Sequence, residues 1–266
     1  MRPSSPPPPL VQRAAQTLGR SIVHWWQLLN FGAQLLVLAG ERRSYAGAQW
    51  PLVAREIVRA TLPNLWWFSL LAALAALVIT RIVVVTAQSY GLSRYALEMV
   101  IRVLVLELIP LAAAFFVAVR YALPAGVEIA SMRRHGDFEA MQREGLDPAR
   151  RLLVPRVVGG VFAVATLAAA SGIVALVLAY FVVHGLSPWG LPGYVRTVGH
   201  VLSPPVALVF LLKTLLFSLS VALVPPASAM ATGAGRGRTG TELQGLFRML
   251  AAMVLVELAS LMVNYS

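Results

Sequence analysis

The stretch GVEIASMRRHGDFEAMQREGLDPARRLLVPR, residues 126–156, is the one long polar segment inside an otherwise apolar chain. Hydrophobic runs long enough to cross a bilayer lie on both sides of it. A charged segment between two such runs stays in water, and its arginines favour the cytoplasmic side of a membrane. We therefore predict that residues 126–156 form a cytoplasmic element that joins two membrane-spanning helices.

Local signals inside this element predict a short helix. Asp137 is placed to cap a helix that runs from Phe138 to about Glu144, because its carboxylate can accept a hydrogen bond from a free backbone N–H. Glu139 would lie in the first turn, near the positive end of the helix dipole. Gly145 suits the left-handed residue that ends many helices. We call this predicted helix the coupling helix.

A second helix is predicted to begin directly after that turn. Asp147 can cap it, and Pro148 would occupy its first position, where the missing N–H of proline costs nothing. The element is thus predicted to be a hairpin, with the coupling helix as one arm and the start of the next span as the other.

The composition of the whole chain indicates an integral membrane protein. Of its 266 residues 58% are hydrophobic and 12% are charged, and the mean hydropathy is +0.74. Soluble domains carry about 25% charged residues. We predict an all-α fold with five membrane-spanning helices, and with the coupling helix between the second and third. The predicted spans lie at roughly 64–85, 99–121, 157–183, 204–225 and 247–263.

The distribution of basic residues predicts the orientation of these spans. Outside the spans, sixteen Lys and Arg residues fall in the segments of one side, against Arg94 and Arg196 alone on the other. The positive-inside rule then places the N-terminus in the cytoplasm and the C-terminus on the outer side of the membrane. The same rule explains the net charge of +11, so no nucleic-acid partner is needed to account for it.

The chain divides by composition into three parts. Residues 1–9 are rich in proline and are predicted to be a disordered tail. Residues 10–60 comprise an amphipathic helix at 11–38, predicted to lie in the membrane interface, and a basic link. An ordinary helix packed on a protein partner is the alternative for 11–38. Residues 61–266 form the five-helix domain.

Charged residues inside predicted spans are costly and usually face a protein interior or a wet cavity. Glu107, Lys213 and Glu257 come from three different spans at similar depth, which predicts a buried network with Lys213 between two carboxylates. Arg102 follows Glu98 by one helical turn and is predicted to pair with it. The network would line a polar path through the membrane, or alternatively would only fix helix packing.

Pro110 lies three residues after Glu107 in the second predicted span. Its ring frees a backbone carbonyl and permits a bend, which is either part of that path or a static kink.

No pattern typical of an enzyme occurs in the chain. The four histidines lack metal-ligand spacing, and the one lysine, Lys213, is not part of a P-loop. We therefore expect no catalytic or metal site and no cofactor in this chain. Any ATP and Mg²⁺ on which its function depends would therefore be bound by another chain.

An ordered set of motifs resembles the MlaE-type permeases, the membrane subunits of bacterial ABC transporters that move phospholipid. Within residues 50–263 the resemblance rests on the following segments: Glu107–Leu108–Ile109–Pro110, Arg120, Glu128 to Met132, Met141, Asp147–Pro148, Arg150–Arg151, Pro155–Arg156 and Lys213–Thr214 with Phe217. The sequence departs from the family at Ala130, which replaces a glycine. It departs again at His135–Gly136–Asp137, which replaces Thr-Glu-Gln.

The resemblance implies several partners. They are a separate ATPase that docks on residues 126–156, a periplasmic lipid-binding subunit of the MCE type, and membrane lipids. A second copy of the chain is also expected, because five spans are few for a path as wide as a lipid. The resemblance further implies the bacterial inner membrane as location, and it favours a lipid-path role for Glu107, Lys213 and Glu257.

The coupling helix offers a candidate docking face for such an ATPase. Phe138, Met141 and Leu146 are apolar residues in a cytoplasmic segment, and the first two share a helix face. We expect them to enter a groove on the ATPase, with the following residues around them: Arg133, Asp137, Glu139, Arg143, Asp147 and Pro148. The alternative is that the apolar residues fold back on the membrane surface.

Two classes of function are consistent with these sequence features. The first is the permease subunit of an ABC transporter for lipid. The second is an ATP-independent scaffold or lipid scramblase built on a degenerate permease fold.

Overall fold

The computed structural model describes Trp26 and residues 30–45, 49–231 and 238–265, and within these ranges it contains helices and no strand. The predicted tail at 1–9 and most of the predicted interfacial helix at 11–38 lie outside the described residues. We number the helices in chain order: α1 Asn30–Gly40, α2 Trp50–Ser89, α3 Tyr95–His135, α4 Asp137–Arg143, α5 Ala149–His184, α6 Leu191–Val201, α7 Pro204–Ala231 and α8 Arg238–Tyr265.

Five of these helices, α2, α3, α5, α7 and α8, are long and apolar enough to cross a membrane. Each of the five predicted spans falls within one of these helices, and the protein is a multi-pass membrane protein. Four of the helices extend well beyond the predicted limits, since hydropathy marks only the part of a helix that lies in hydrocarbon.

α2 shows the largest difference from the predicted limits. Its 40 residues begin at Trp50. The last part of the predicted link and the predicted domain boundary after residue 60 therefore lie inside one continuous helix. Pro51 lies in the first turn, where proline is tolerated, and Pro63 sits inside the helix without ending it. At 1.5 Å per residue α2 is about 60 Å long, roughly twice the hydrocarbon thickness.

Close helix packing at glycine holds the spans together. α2 lies along α5, and an added Cβ at Gly159 of α5 would be 3.0 Å from both the Glu56 carbonyl oxygen and the Tyr121 hydroxyl. An added Cβ at Gly126 of α3 would be 3.1 Å from Pro225 of α7. Small residues at such crossings let backbones approach, which is how helices associate in lipid.

The described end of the predicted interfacial helix is α1, and it packs against the spans. Leu35 is buried and Phe31 is half-buried against a cluster that includes Val157 and Ala222. Leu36, which the helical spacing places on the apolar face of the predicted helix, is exposed on the protein surface.

The segment between α5 and α7, whose proline, glycine and aromatic residues predict a re-entrant or interfacial loop, contains the helix α6. Tyr194 of α6 is buried, and its hydroxyl donates a hydrogen bond of 2.7 Å to the carbonyl oxygen of Leu176 on α5. This bond fixes α6 against the end of the span.

Candidate functional site

The side chain of Lys213 joins three spanning helices. Its Nζ on α7 bonds to Oε2 of Glu107 on α3 and lies 2.9 Å from Oε2 of Glu257 on α8. The lysine side chain is 2% exposed, and the two glutamates are 14% and 19% exposed. The structure thus brings together the three intramembrane charges that the sequence singled out.

The surroundings of this cluster, which we call the Lys213 cluster, are apolar on one side. The ring centroid of Phe217, one turn along α7, lies 5.7 Å from the Lys213 Nζ, within the range of a cation–π contact. Two carboxylates face one ammonium, so the fully ionised cluster carries a net negative charge in a region of low dielectric. Removing one carboxylate from such a buried set is tolerated better than removing the shared cation.

α3 is irregular at the level of Glu107. Its backbone is π-helical over Ile101–Leu108 and regular again from Ile109, with the buried Pro110 in the first turn of the regular part. The widened turns come directly before the proline, which cannot donate a backbone hydrogen bond. Such π-helical turns inside α-helices frequently occur at functional sites. The proline therefore marks a change of helical geometry next to Glu107.

Arg102 does not join the Lys213 cluster. Its guanidinium pairs with Glu98, with a closest distance of 3.0 Å, as the spacing predicts. Both side chains line a separate cavity of about 680 Å³ together with Tyr90 and Tyr95, at the opposite end of α3 from the hairpin.

The hairpin of residues 126–156 contains the coupling helix, α4, over Asp137–Arg143. Gly136, not Asp137, is the residue before the helix, and with φ = 80° it has the left-handed conformation that glycine adopts most readily. The prediction that Asp137 caps the helix is therefore wrong, because Asp137 is already its first residue. Gly145 has φ = 74°, as predicted for the end of the helix.

The second arm of the hairpin begins as predicted. Oδ1 of Asp147 accepts a hydrogen bond of 2.9 Å from the backbone N–H of Ala149, and Pro148 precedes that residue. Arg150 then pairs with Asp147 at 3.3 Å and with Glu41 at 2.6 Å, so the hairpin is also tied to the segment between α1 and α2.

Phe138 occupies a different place from the one expected. It is 8% exposed and packs in a cluster with Ile129 of α3, Leu153 of α5 and Leu35 of α1. The side chain expected to enter an ATPase groove thus holds α4 against its own protein, and this corrects the predicted role of Phe138. The protein interior, and not the membrane surface, takes up the ring.

The other residues of the expected docking face are divided between exposed and half-buried positions. Glu139 and Arg143 are exposed, whereas Met141 and Leu146 are half-buried. Arg133 is exposed as a residue, but its guanidinium donates a hydrogen bond to the carbonyl oxygen of Met230 at the end of α7. The solvent side of α4 is therefore polar, with mixed charge.

A second group of polar side chains was not predicted as a site. Arg156 pairs with Glu128 at 3.0 Å, and the Tyr121 hydroxyl donates a hydrogen bond of 2.9 Å to Oε2 of Glu56. Glu128 and Arg156 both belong to the motifs quoted above, and their pairing links α3 to α5, the helices before and after α4. The Glu56–Tyr121 bond joins residues 65 positions apart, which no local sequence pattern could indicate.

The part of the chain that the structure describes contains no group of three His, Cys, Asp or Glu residues close enough to hold a metal ion.

A family model described as Permease MlaE matches residues 53–263, which include all five spans, the hairpin and the Lys213 cluster. A search of the curated proteins finds no match.

Proposed function

The chain belongs to the MlaE permease family, and on this premise we propose that it is the membrane subunit of an ABC transporter. The transporter would move phospholipid or a related lipid across or out of the bacterial inner membrane. The observation that carries the proposal is the family match over residues 53–263, which covers most of the chain. In the orientation that we propose for the chain, the N-terminus and the hairpin lie in the cytoplasm and the C-terminus lies in the periplasm.

The Lys213 cluster supports a lipid path. A buried ammonium between two carboxylates can exchange its ion pairs with a phospholipid headgroup, because the phosphate pairs with Lys213 and an ammonium headgroup pairs with the carboxylates. Two of the three helices involved, α7 and α8, pack against each other. A lipid could enter only if α7 and α8 moved apart, and we propose that the transport cycle separates them.

The hairpin supports coupling to a separate ATPase. Gly136 and Gly145 bound a rigid α4, and Phe138 anchors it to α3 and α5. A force on α4 is thereby passed to two spans. We propose that the ATPase, which would bind ATP and Mg²⁺, contacts the exposed residues of α4, with Glu139 and Arg143 in the interface. The groove on the ATPase would then receive the polar, solvent-exposed face of α4.

The assembly that we propose contains further subunits: a second copy of this chain and a periplasmic lipid-binding subunit of the MCE type. A pull-down of the full chain in mild detergent, followed by mass spectrometry, tests this composition. Recovery of an ATPase and an MCE-type protein is the expected result.

The activity is tested in liposomes. The full complex should move a fluorescent phospholipid only when ATP is supplied, and an ATPase variant that cannot hydrolyse ATP should abolish the movement. Equal movement by this chain alone would instead identify it as an ATP-independent scramblase.

Docking and orientation need separate variants. Arg143→Glu should reduce recovery of the ATPase, whereas Arg196→Glu, the same charge change on α6, should leave it unchanged.

The chain has no cysteine, so cysteines introduced one at a time can report on which side of the membrane a residue lies. A cysteine at Ser187 should react with an impermeant thiol reagent in spheroplasts and one at Glu144 should not; the reverse would refute the orientation.

A further inference from the structure

A polar cavity of about 420 Å³ lies between α2, α3 and α5, apart from the Lys213 cluster. We call it the arginine cavity. Its charged and hydroxyl-bearing lining residues are Glu56, Arg59, Arg120, Tyr121, Glu128 and Arg156. Three arginines against two glutamates give the lining a net positive charge.

The two glutamates of the arginine cavity already have partners within it. Glu128 pairs with Arg156, which is 8% exposed and also donates to the carbonyl oxygen of Ala125 at 3.4 Å. Glu56 accepts the Tyr121 hydroxyl and lies 3.5 Å from Arg59. The acidic groups are thus occupied by hydrogen bonds and ion pairs from inside the lining.

Arg120 is the cation left over. It lines the cavity and is exposed, and among the described residues it has neither a hydrogen bond nor an ion pair. Two further cations, Arg59 and Arg156, lie in the same lining. An anion entering the cavity would therefore meet one unpaired guanidinium and two that are only partly neutralised, and planar guanidinium groups bind phosphate oxygens in pairs of hydrogen bonds.

Aromatic residues indicate how deep the cavity lies relative to a bilayer. Trp66 and Trp67 of α2 are 74% and 58% exposed. Trp67 is one helical turn from Pro63, which lines the cavity. The two tryptophans stand at the start of the apolar stretch predicted at 64–85, and exposed tryptophans at such a boundary are typical of the headgroup level. The arginine cavity thus opens at the headgroup level of one leaflet, on the same end of the spans as the hairpin.

An apolar surface leads from the cavity toward the middle of the membrane. Val119 of α3 lines the cavity and is exposed, and Phe115, one turn further into the span, is exposed as well. On α2, Leu70 and Leu71 continue the surface beyond Trp67. The charged end and the apolar continuation together match a phospholipid, with its phosphate at the arginines and its acyl chains along α2 and α3.

We propose that the arginine cavity binds an anionic phospholipid of the leaflet on the hairpin side. The phosphate is held by Arg120, with Arg59 and Arg156 beside it. Basic pockets between spanning helices on the cytoplasmic side are known to select anionic headgroups. This lipid is distinct from any transported through the Lys213 cluster, and its binding does not require the proposed transport activity.

The test measures lipid affinity of the purified full chain by native mass spectrometry in detergent. The probes are phosphatidylglycerol and phosphatidylcholine with identical acyl chains. The wild type should bind phosphatidylglycerol more tightly. Arg120→Gln should weaken that binding by about tenfold, the size expected for one charge-assisted hydrogen bond. It should also reduce the preference over phosphatidylcholine, because that preference depends on the net positive charge of the lining, which repels the choline cation.

Arg134→Gln is the matched control. It removes the same charge from an exposed arginine of the hairpin that does not line the cavity, and it should retain the preference for phosphatidylglycerol. Equal losses in the two variants would show a general charge effect and overturn the proposal, as would no loss in Arg120→Gln. If Arg120→Gln does not fold, Arg59→Gln takes its place with the same expected and refuting results.

A last arm distinguishes a lipid from a free phosphate ion. The thermal midpoint of the wild type should rise with phosphatidylglycerol and should not rise with millimolar inorganic phosphate. An equal rise with inorganic phosphate alone would assign the arginine cavity to a soluble anion and refute the lipid proposal.

Discussion

The Nζ atom of Lys213 lies 2.9 Å from Oε2 of Glu257, and this contact joins α7 to α8 inside the membrane-spanning part of the protein. The same lysine bonds to Glu107 of α3, so a single cation connects three spans. Because Lys213 is the shared partner, the energetic roles of the three residues are unequal.

Lys213→Met should destabilise the protein strongly. The substitution leaves two carboxylates buried together without a counter-ion, and breaking a buried pair in this way costs about 3–5 kcal/mol. The free energy of unfolding in mixed SDS micelles measures the effect. Adding Glu107→Gln and Glu257→Gln to Lys213→Met should restore most of the stability, since the unbalanced charge is then removed. A triple variant as unstable as the single one would contradict this account.

Gly159→Ala should also destabilise the protein, through packing. The new Cβ would lie 3.0 Å from the Glu56 carbonyl oxygen and from the Tyr121 hydroxyl, so α2 must move away from α5. Overpacking of this kind costs about 1–3 kcal/mol. The thermal midpoint in detergent is the measurement. Gly172→Ala, in the same helix, is the control, because its nearest contact would be a side-chain methyl of Val105 at an ordinary 3.7 Å.

Phe138→Ala should lower the stability of the hairpin. The ring is buried among residues of α1, α3 and α5, and truncating a buried phenylalanine costs about 3–5 kcal/mol. Hydrogen exchange of the α4 amides should increase, whereas Glu139→Ala on the exposed side should leave it unchanged. Unchanged exchange in Phe138→Ala would mean that the ring does not anchor α4 in solution.

Asp147→Ala should weaken the start of α5 by about 1 kcal/mol, because the Ala149 N–H loses its capping carboxylate. Asp147→Asn should retain most of the stability, since asparagine also caps helices. Thermal midpoints of the two variants test the difference. Equal losses would assign the effect to the ion pair with Arg150 rather than to the cap.

Hydropathy and charge placement were sufficient to predict the five spans and the hairpin, because the cost of moving polar groups into lipid dominates both. The helix limits were not predictable from that cost. α2 continues to Trp50 because helix propensity and packing against α5 extend beyond the apolar stretch. α6 was missed, although Leu191, Tyr194, Val198 and Val201 recur at helical spacing and could have indicated it.

A residue of the candidate site was predictable only where its own charge makes its insertion into the membrane unfavourable in free energy. Glu107, Lys213 and Glu257 stand out as charges within apolar runs. Phe138 carries no such signal: an aromatic residue in a polar helix fits docking and self-packing equally, and only the tertiary position of α3 and α5 decides between them. The arginine cavity depends on contacts between distant segments, which the spacing of residues within one segment cannot reveal.

The burial of the chain's one lysine also affects how the protein reacts with chemical reagents. Amine-reactive fluorophores and cross-linkers need an exposed, uncharged amino group, whereas Lys213 is 2% exposed and paired with two acids. Its side-chain amine should therefore stay unmodified while α3, α7 and α8 remain together. Any acylation of Lys213 during turnover would be a direct chemical record of the moment at which those helices separate.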